Sequence, residues 1–155
     1  PDRYLAGDAP QLVALAPLTG TLGTGWAQID DDILGEFFLR EYLDQQLAGS
    51  MADKAAEGWG GDRYAVYWNE SAEELVMALH LVWDSREDAA EFAGAFELYA
   101  AGLLDAEAQD QPDGSVCWAS SETLCLSQTD TGSFVVRAPN LLTAGTVLAA
   151  IQAAN

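Results

Sequence analysis

Residues 58–83 read GWGGDRYAVYWNESAEELVMALHLVW. Tyr64 to Trp68 is rich in aromatic and branched side chains, which favour an extended strand. Asn69 to Glu74 is polar and turn-like, and Leu75 to Trp83 is a second run with an apolar side chain at every second position. These two runs predict an antiparallel hairpin.

The register of this hairpin decides which side chains meet. If Trp68 lies opposite Leu75, then Tyr64 faces Leu79, Arg63 faces His80 and Gly60 faces Trp83. The glycine loop before the first strand completes a candidate cluster of six residues: Trp59, Asp62, Arg63, Tyr64, His80 and Asp84.

This cluster has two interpretations. In the structural one, Asp62 accepts amide hydrogens from the glycine loop, Arg63 pairs with an acid, and Trp83 packs on the bare Gly60. In the functional one, the same residues line a binding cleft, because glycines permit an unusual backbone path beside the charged pair.

Helical periodicity surrounds the hairpin. One of Asp30, Asp31 and Asp32 is expected to cap a helix that runs to about Leu47. Its apolar stripe consists of Leu34, Phe38, Leu39, Tyr42, Leu43 and Leu47. A second short helix or turn is predicted over Met51–Glu57. Ser85 and Asp88 form a capping-box variant before a third helix, and a last helix covers Leu141–Ala153.

The element order is helix, two strands, helix, three strands, helix. Short turns join successive strands, so we predict an α+β fold with a mainly antiparallel sheet of about five strands and three or four helices packed on it. The run Leu75–Trp83 is apolar on both faces except at His80, which requires helices on at least one face and allows them on both. Residues 1–155 fit a single domain.

Cys117 and Cys125 flank a predicted turn at Ser120–Glu122. The turn places the two cysteines opposite each other on neighbouring strands, close enough for a disulfide, which persists in an oxidising compartment. A zinc site would need four ligands, and the chain has two cysteines and one histidine. We therefore predict a disulfide and no metal.

The charge balance limits the partners. Six Lys and Arg stand against 25 Asp and Glu, for a formal net charge of −19. Nucleic acid and anionic membrane surfaces are bound by clustered basic side chains, which this chain does not have. No apolar run reaches the length of about 20 residues that a membrane span needs, so no membrane insertion is expected.

Motifs for catalysis and cofactors are missing from the sequence. It has no nucleophile elbow, phosphate-binding loop, dinucleotide fingerprint, zinc-peptidase helix or calcium loop, so we predict no cofactor. Asp30–Asp32 run consecutively, unlike the alternating ligands of a calcium site. A hydrolase built on His80 and Asp84 is kept as one alternative, which requires a pocket that holds both side chains within hydrogen-bond reach.

A family resemblance spans nearly the whole chain. It is carried by Asp2-Arg3-Tyr4-Leu5, Leu34-Gly35-Glu36-Phe37, Gly58–Tyr64, and Trp83-Asp84-Ser85 with Asp88, Ala89, Glu91 and Phe92. With these motifs the chain resembles the C-terminal portion of an uncharacterised family of exported, often lipoprotein-like bacterial proteins. The N-terminal portion of those proteins is metallopeptidase-like and carries a His-Glu-x-x-His helix, which is not in this sequence. The resemblance transfers no zinc ligand or catalytic residue to any position here.

Together these observations predict a non-catalytic, extracytoplasmic accessory or interaction domain. Its expected partner is the N-terminal portion of its own longer protein, and the opening at Pro1 without an initiator methionine suggests a processed portion of such a chain. The alternative is a small-molecule or glycan-binding module that uses the Gly58–Tyr64 loop, with Trp59, Tyr64 and Trp68 as stacking surfaces.

Overall fold

The computed structural model describes residues 10–154. The family motif Asp2-Arg3-Tyr4-Leu5 lies outside these residues. Within them the chain forms one antiparallel sheet of seven strands with five helices, which confirms the predicted α+β class. No helix in this part of the chain is long and apolar enough to cross a membrane.

The elements are as follows. The helices are α1 (Thr19–Leu22), α2 (Gly35–Asp44), α3 (Gly49–Ala56), α4 (Arg86–Leu104) and α5 (Leu141–Ala153). The strands are β1 (Trp26–Asp32), β2 (Trp59–Asn69), β3 (Glu74–Trp83), β4 (Gln109–Asp110), β5 (Val116–Ala119), β6 (Thr123–Gln128) and β7 (Gly132–Ala138). The strand order across the sheet is β1-β2-β3-β7-β6-β5-β4.

Strand β3 occupies the middle of the sheet and is buried on both faces. Leu79, Leu81 and Trp83 pack into a core with α2, α3 and α4. Val76 and Ala78 point to the opposite face and pack into a second core with α5. We call these the three-helix face and the α5 face. The apolar pattern of β3 thus leads to helices on both sides of the sheet.

An extended segment, residues 10–18, completes the cover of the α5 face. The Gln11 amide donates to the Gly60 carbonyl at 2.7 Å, and the Leu18 amide donates to the Tyr67 hydroxyl at 3.0 Å. Leu18 is fully buried in the second core. The segment is therefore tied at both ends to β2.

The predicted hairpin register is confirmed over most of its length. Trp68 pairs with Leu75, Tyr64 with Leu79 and Arg63 with His80. The pairing of Gly60 with Trp83 is wrong, because the register shifts between Trp59 and Gly61 and Trp59 takes the place opposite Trp83. The alternation of apolar residues does not predict the β-bulge at this point, because a bulge inserts one extra residue into only one of the two strands.

The assignment of Asp30–Asp32 to a helix cap is also wrong. These residues end the edge strand β1, whose side chains are exposed along six of its seven positions, and α2 begins only at Gly35. The strand count of about five was low because β1 and the two-residue β4 were missed. Neither carries the alternating apolar pattern that reveals a half-buried strand.

The predicted disulfide is present between Cys117 and Cys125. The two residues pair directly across β5 and β6 with a Cα–Cα distance of 4.1 Å, as expected for a non-hydrogen-bonded pair. Both are buried in the core beneath α5. The disulfide therefore links β5 to β6 and also contributes to the core of the α5 face.

Substitution of Gly61 should weaken the cover of the α5 face. A Cβ at this position would overlap the Gln11 carbonyl oxygen, so Gly61→Ala must displace residues 10–18. We expect a loss of about 1–3 kcal/mol in the free energy of unfolding, measured by urea denaturation. Gly94→Ala in α4 is the matched control, because a Cβ there meets nothing within 4 Å. Equal stability of the two variants would contradict the close approach.

Loss of the disulfide should destabilise the chain. The bridge closes a loop with a sequence separation of 8, for which the chain-entropy relation gives about 2–3 kcal/mol. Cys117→Ala with Cys125→Ala should lower the free energy of unfolding by this amount. Thiol titration of the denatured wild-type chain should detect free thiols only after reduction; thiols found before reduction would refute the bridge.

Candidate functional site

Asp62 is the buried centre of the glycine-loop region, with 2% of its surface exposed. Its Oδ1 accepts the Leu34 amide at 2.7 Å, and its Oδ2 accepts the Gly35 amide at 2.8 Å. The Trp59 indole nitrogen also donates to Oδ2 at 2.8 Å. Asp62 therefore accepts the amides at the start of α2, a role predicted for Asp30–Asp32, and not the glycine-loop amides that were predicted for it. A carboxylate is favoured there by the positive end of the helix dipole.

Trp59 and Tyr64 lie on the same three-helix face as Asp62. Trp59 stands opposite Trp83, and both rings are in contact with the first core. The Tyr64 hydroxyl donates to Asp30 Oδ2 at 3.0 Å. This hydrogen bond to a carboxylate raises the pKa of Tyr64, with a smaller contribution from burial. These aromatic side chains are half-buried and are used in the packing of β1, β2 and α2.

Arg63 and His80 point to the opposite, α5 face. Arg63 forms an ion pair with Asp31 on β1. The His80 ring stacks on Phe134, with 4.3 Å between ring centroids and an interplanar angle of 18°. Burial lowers the pKa of His80, and a hydrogen bond to the Ala14 backbone opposes this to a smaller extent. Its Nδ1 has no hydrogen-bond partner among the described residues.

Asp84 follows β3 and donates its backbone amide to the Gly58 carbonyl at 2.9 Å. His80 and Asp84 are four residues apart along an extended chain, which separates their Cα atoms by roughly 13 Å. The pocket required by the hydrolase alternative is therefore not formed by this pair.

The structure divides five of the six predicted cluster residues between the two faces of the sheet, and the sixth, Asp84, lies beyond the end of β3. Asp62 contacts Trp59, and Arg63 pairs with His80 across the strands, but the two groups do not meet. The glycine loop itself is covered, because Gln11 lies against Gly60 and Gly61. The loop therefore offers no open surface at these two glycines for a stacked ligand.

Charged groups in the described region follow one pattern. Each Lys or Arg between residues 10 and 154 forms an ion pair with a carboxylate: Arg40, Lys54, Arg63, Arg86 and Arg137. Arg137 pairs with Glu122 through two hydrogen bonds, at 2.5 and 2.6 Å. Over the same residues, no group of three or more His, Cys, Asp or Glu side chains is placed to hold a metal ion.

An exposed apolar surface at the start of α2 was not predicted from the sequence. Phe37 and Phe38 are 58% and 61% exposed, and Ile33 just before the helix is 50% exposed. The two rings contact each other edge-on with centroids 5.3 Å apart. Phe38 was expected to belong to the core stripe, and this was wrong. We call Ile33, Phe37 and Phe38 the α2 patch.

A groove borders the α2 patch on the side of α3. It has a volume of about 640 Å³ and is lined by Glu36, Phe37, Arg40, Ser50, Asp53, Lys54, Ala56 and Glu57. The Arg40 guanidinium lies 5.0 Å from the centroid of the Phe37 ring and also pairs with Asp53 at 3.5 Å. The patch thus combines an aromatic centre with a charged rim. The one available signal in the sequence was that α2 has more apolar residues than a single buried stripe requires.

Removal of the Asp62 carboxylate should destabilise the junction of β2 with α2. Asp62→Ala leaves two backbone amides and one indole N–H without their acceptor, so we expect a loss of about 2–4 kcal/mol in the free energy of unfolding. Asp32→Ala is the matched control, because Asp32 is exposed and accepts the amide of its neighbour Ile33 at 2.8 Å. A larger loss of unfolding free energy for Asp32→Ala than for Asp62→Ala would contradict the role of Asp62 and favour the predicted helix cap at Asp30–Asp32.

Comparisons with known proteins give one match. A search of the curated proteins and a search of the solved structures found nothing similar. A protein-family comparison matches residues 22–148, which include every strand and the whole of the α2 patch. This match covers most of the sequence, and the chain therefore belongs to the family described as Domain of unknown function (DUF8575).

Proposed function

We propose that this chain is a non-catalytic, extracytoplasmic accessory domain that binds a partner protein through the α2 patch. The observation that carries the proposal is the pair Phe37 and Phe38, both more than half exposed on a helix whose other side is held in the core. Isolated exposed apolar residues are common on protein surfaces, but adjacent aromatic rings with a charged rim are typical of protein interfaces.

The patch is held rigidly, which favours its use in binding. Leu39 and Leu43 are fully buried on the inner side of α2. Asp62 fixes the start of the helix through the Leu34 and Gly35 amides. A preformed aromatic surface loses little conformational entropy when it is covered. Each phenylalanine that becomes buried against a partner can contribute about 1.5–3 kcal/mol.

The partner that we propose is the metallopeptidase-like N-terminal portion of the longer protein that the resemblance implies. The chain has a net charge of −19, and its described cations are already paired with its own carboxylates. A partner surface with an apolar centre and a basic rim would complement the α2 patch and its surroundings. The role of the domain would then be to position its neighbour.

An extracytoplasmic location is supported by the disulfide between Cys117 and Cys125. Disulfides between paired strands persist in oxidising compartments and are rare in the reducing cytosol. A non-catalytic role is supported by the separation of His80 from Asp84, and by the use of Asp62 and Arg63 in hydrogen bonds and ion pairs of the fold.

Hydrogen exchange should test the docking of the α2 patch. We expect backbone amides of residues 33–40 to exchange more slowly in the longer protein than in the 155-residue chain, because a docked neighbour restrains α2. Phe37→Ser with Phe38→Ser in the longer protein should reduce this slowing by about tenfold or more for each ring lost. The measurement is hydrogen-exchange mass spectrometry.

The matched control is Leu98→Ser with Leu142→Ser, which removes two exposed apolar side chains outside the patch, at 56% and 81% exposure. This variant should keep the slow exchange at residues 33–40. Melting temperatures of both variants should stay close to that of the wild type, since all four side chains are exposed. Identical exchange at residues 33–40 in the longer protein and in the isolated chain would refute the proposed interface.

A further inference from the structure

We propose a second binding site, a cleft on the α5 face that takes a small, uncharged, polyhydroxylated molecule of about monosaccharide size. The cleft has a volume of about 300 Å³ and lies where the β6–β7 turn meets the end of α5. Six residues of its wall carry the argument: His80, Thr129, Thr131, Gly132, Phe134 and Gln152. The α2 patch is on the other side of the sheet, so this site does not depend on the interface proposed above.

His80 provides the main indication of a ligand. Its side chain is buried, with 9% of the residue exposed, and Nδ1 lacks a hydrogen-bond partner among the described residues. Burial lowers the pKa of His80, so the imidazole is neutral at neutral pH and has one nitrogen able to accept a hydrogen bond. A buried acceptor without a partner is unfavourable, and a ligand hydroxyl that donates to it removes this cost.

The position of the imidazole ring is compatible with this role. Nδ1 is covered where the ring stands, while the ring itself lines the cleft and stacks on Phe134. A half-turn about the Cβ–Cγ bond preserves the stacking, and it exchanges Nδ1 with Cδ2 and Nε2 with Cε1. The proposed ligand is therefore bound with the ring in the turned orientation, in which Nδ1 accepts from it.

The wall of the cleft favours a neutral ligand. None of the residues that line it has an acidic or permanently basic side chain. Asp130, between the two threonines of the wall, is exposed and forms an ion pair with Arg86. An anion would meet no cation in the cleft and would be repelled by the overall charge of −19, and a cation would meet no carboxylate.

The polar groups of the wall match hydroxyls. Thr131 offers a hydroxyl that can donate and accept, whereas the Thr129 hydroxyl donates to the Gly132 carbonyl at 3.4 Å and offers its acceptor positions. Gln152 offers an amide that is positioned by the 2.6 Å hydrogen bond it donates to Ser127 Oγ. A polyhydroxylated molecule presents the same mixture of donors and acceptors. The volume is at the lower end of the range for ligand pockets, about 300–1,000 Å³, which limits the ligand to a single ring.

Gly132 keeps the cleft open. A Cβ at this position would lie 2.7 Å from Thr129 Oγ1 and 3.8 Å from His80 Nε2. An alanine would thus fill the space between two groups that line the site. The nearest obstacle is a side-chain oxygen on an exposed turn, which can move, so Gly132→Ala is expected to fold with a narrower cleft.

The test uses the fact that His80 is the single histidine of the chain, so its imidazole resonances are assigned without ambiguity. The Cε1–H signal is followed by NMR during titration with glucose, N-acetylglucosamine and myo-inositol, each to about 20 mM, where a ligand with a Kd of about 1 mM saturates its site. Glucuronate and glucosamine serve as the anionic and cationic probes. We expect a saturable shift with at least one neutral probe and none with the charged ones.

Two variants link the shift to the cleft. Gly132→Ala should weaken binding of the responding neutral probe by about tenfold or more because it occupies the ligand space. Gly145→Ala makes the same chemical change in α5, where a Cβ meets nothing within 4 Å, and should bind as the wild type does. Should Gly132→Ala fail to fold, Thr131→Val at an exposed position replaces it, with an expected weakening of about three- to tenfold.

Three results would overturn the proposal. The first is no shift of the His80 signal with any neutral probe. The second is an equal or larger shift with glucuronate or glucosamine. The third is undiminished binding by the folded cleft variant, Gly132→Ala or, in its place, Thr131→Val, which would put the responding site elsewhere.

Discussion

The burial of both faces of β3 is the constraint on which the rest of the structure depends. A strand that presents Leu79, Leu81 and Trp83 to one side and Val76 and Ala78 to the other must be covered twice. The three-helix face provides one cover, and α5 with residues 10–18 provides the other. Even the Trp83 indole nitrogen is satisfied inside the sheet, by a 2.8 Å hydrogen bond to Ser133 Oγ on β7. The helical cover on both sides of the sheet follows from this single strand.

A buried carboxylate connects this core to the surface that we propose for binding. Asp62 stands on β2 beside β3, and it fixes the chain between β1 and α2 through two backbone amides. The inner side of α2 is then anchored by leucines, which leaves Phe37 and Phe38 on the outer side. If the carboxylate were lost, the position of the two rings relative to the sheet would depend on the buried leucines alone. The stability of the interior and the order of the patch are therefore coupled through one side chain.

The parts of the fold that could be predicted are those in which apolar residues recur at a regular spacing along the chain. The β2–β3 register was correct from Trp68 to Arg63 because apolar residues alternate along both strands, and the disulfide followed from the same pairing logic. The prediction failed at Gly60, since a bulge adds a residue without changing the composition. It also failed at Asp30–Asp32, because an exposed edge strand has no buried side to reveal it and three aspartates before an apolar stripe resemble a helix cap.

The candidate sites were harder to predict than the fold for a related reason. The α2 patch consists of residues that look like core in a sequence, and only the structure shows that Phe38 is exposed. The His80 cleft is formed by β3, the β6–β7 turn and the last turn of α5, which are distant in the sequence. The role of Asp62 depends on a contact between residues separated by 27 and 28 positions. Apart from the surplus of apolar residues in α2, none of these features has a local pattern that a single sequence displays.

The complete pairing of the described cations has a further consequence. Five basic side chains are used in ion pairs with the chain's own carboxylates, which leaves most of the acidic residues between positions 10 and 154 outside these ion pairs. Folding concentrates these charges, so the native state must hold more counterions around it than the unfolded chain does. The balance between the folded and unfolded forms is thereby tied to the ionic composition of the surroundings. The free energy of unfolding of such a domain is expected to be largest at high ionic strength, where salt screens the repulsion between carboxylates, and to fall as the ionic strength is lowered.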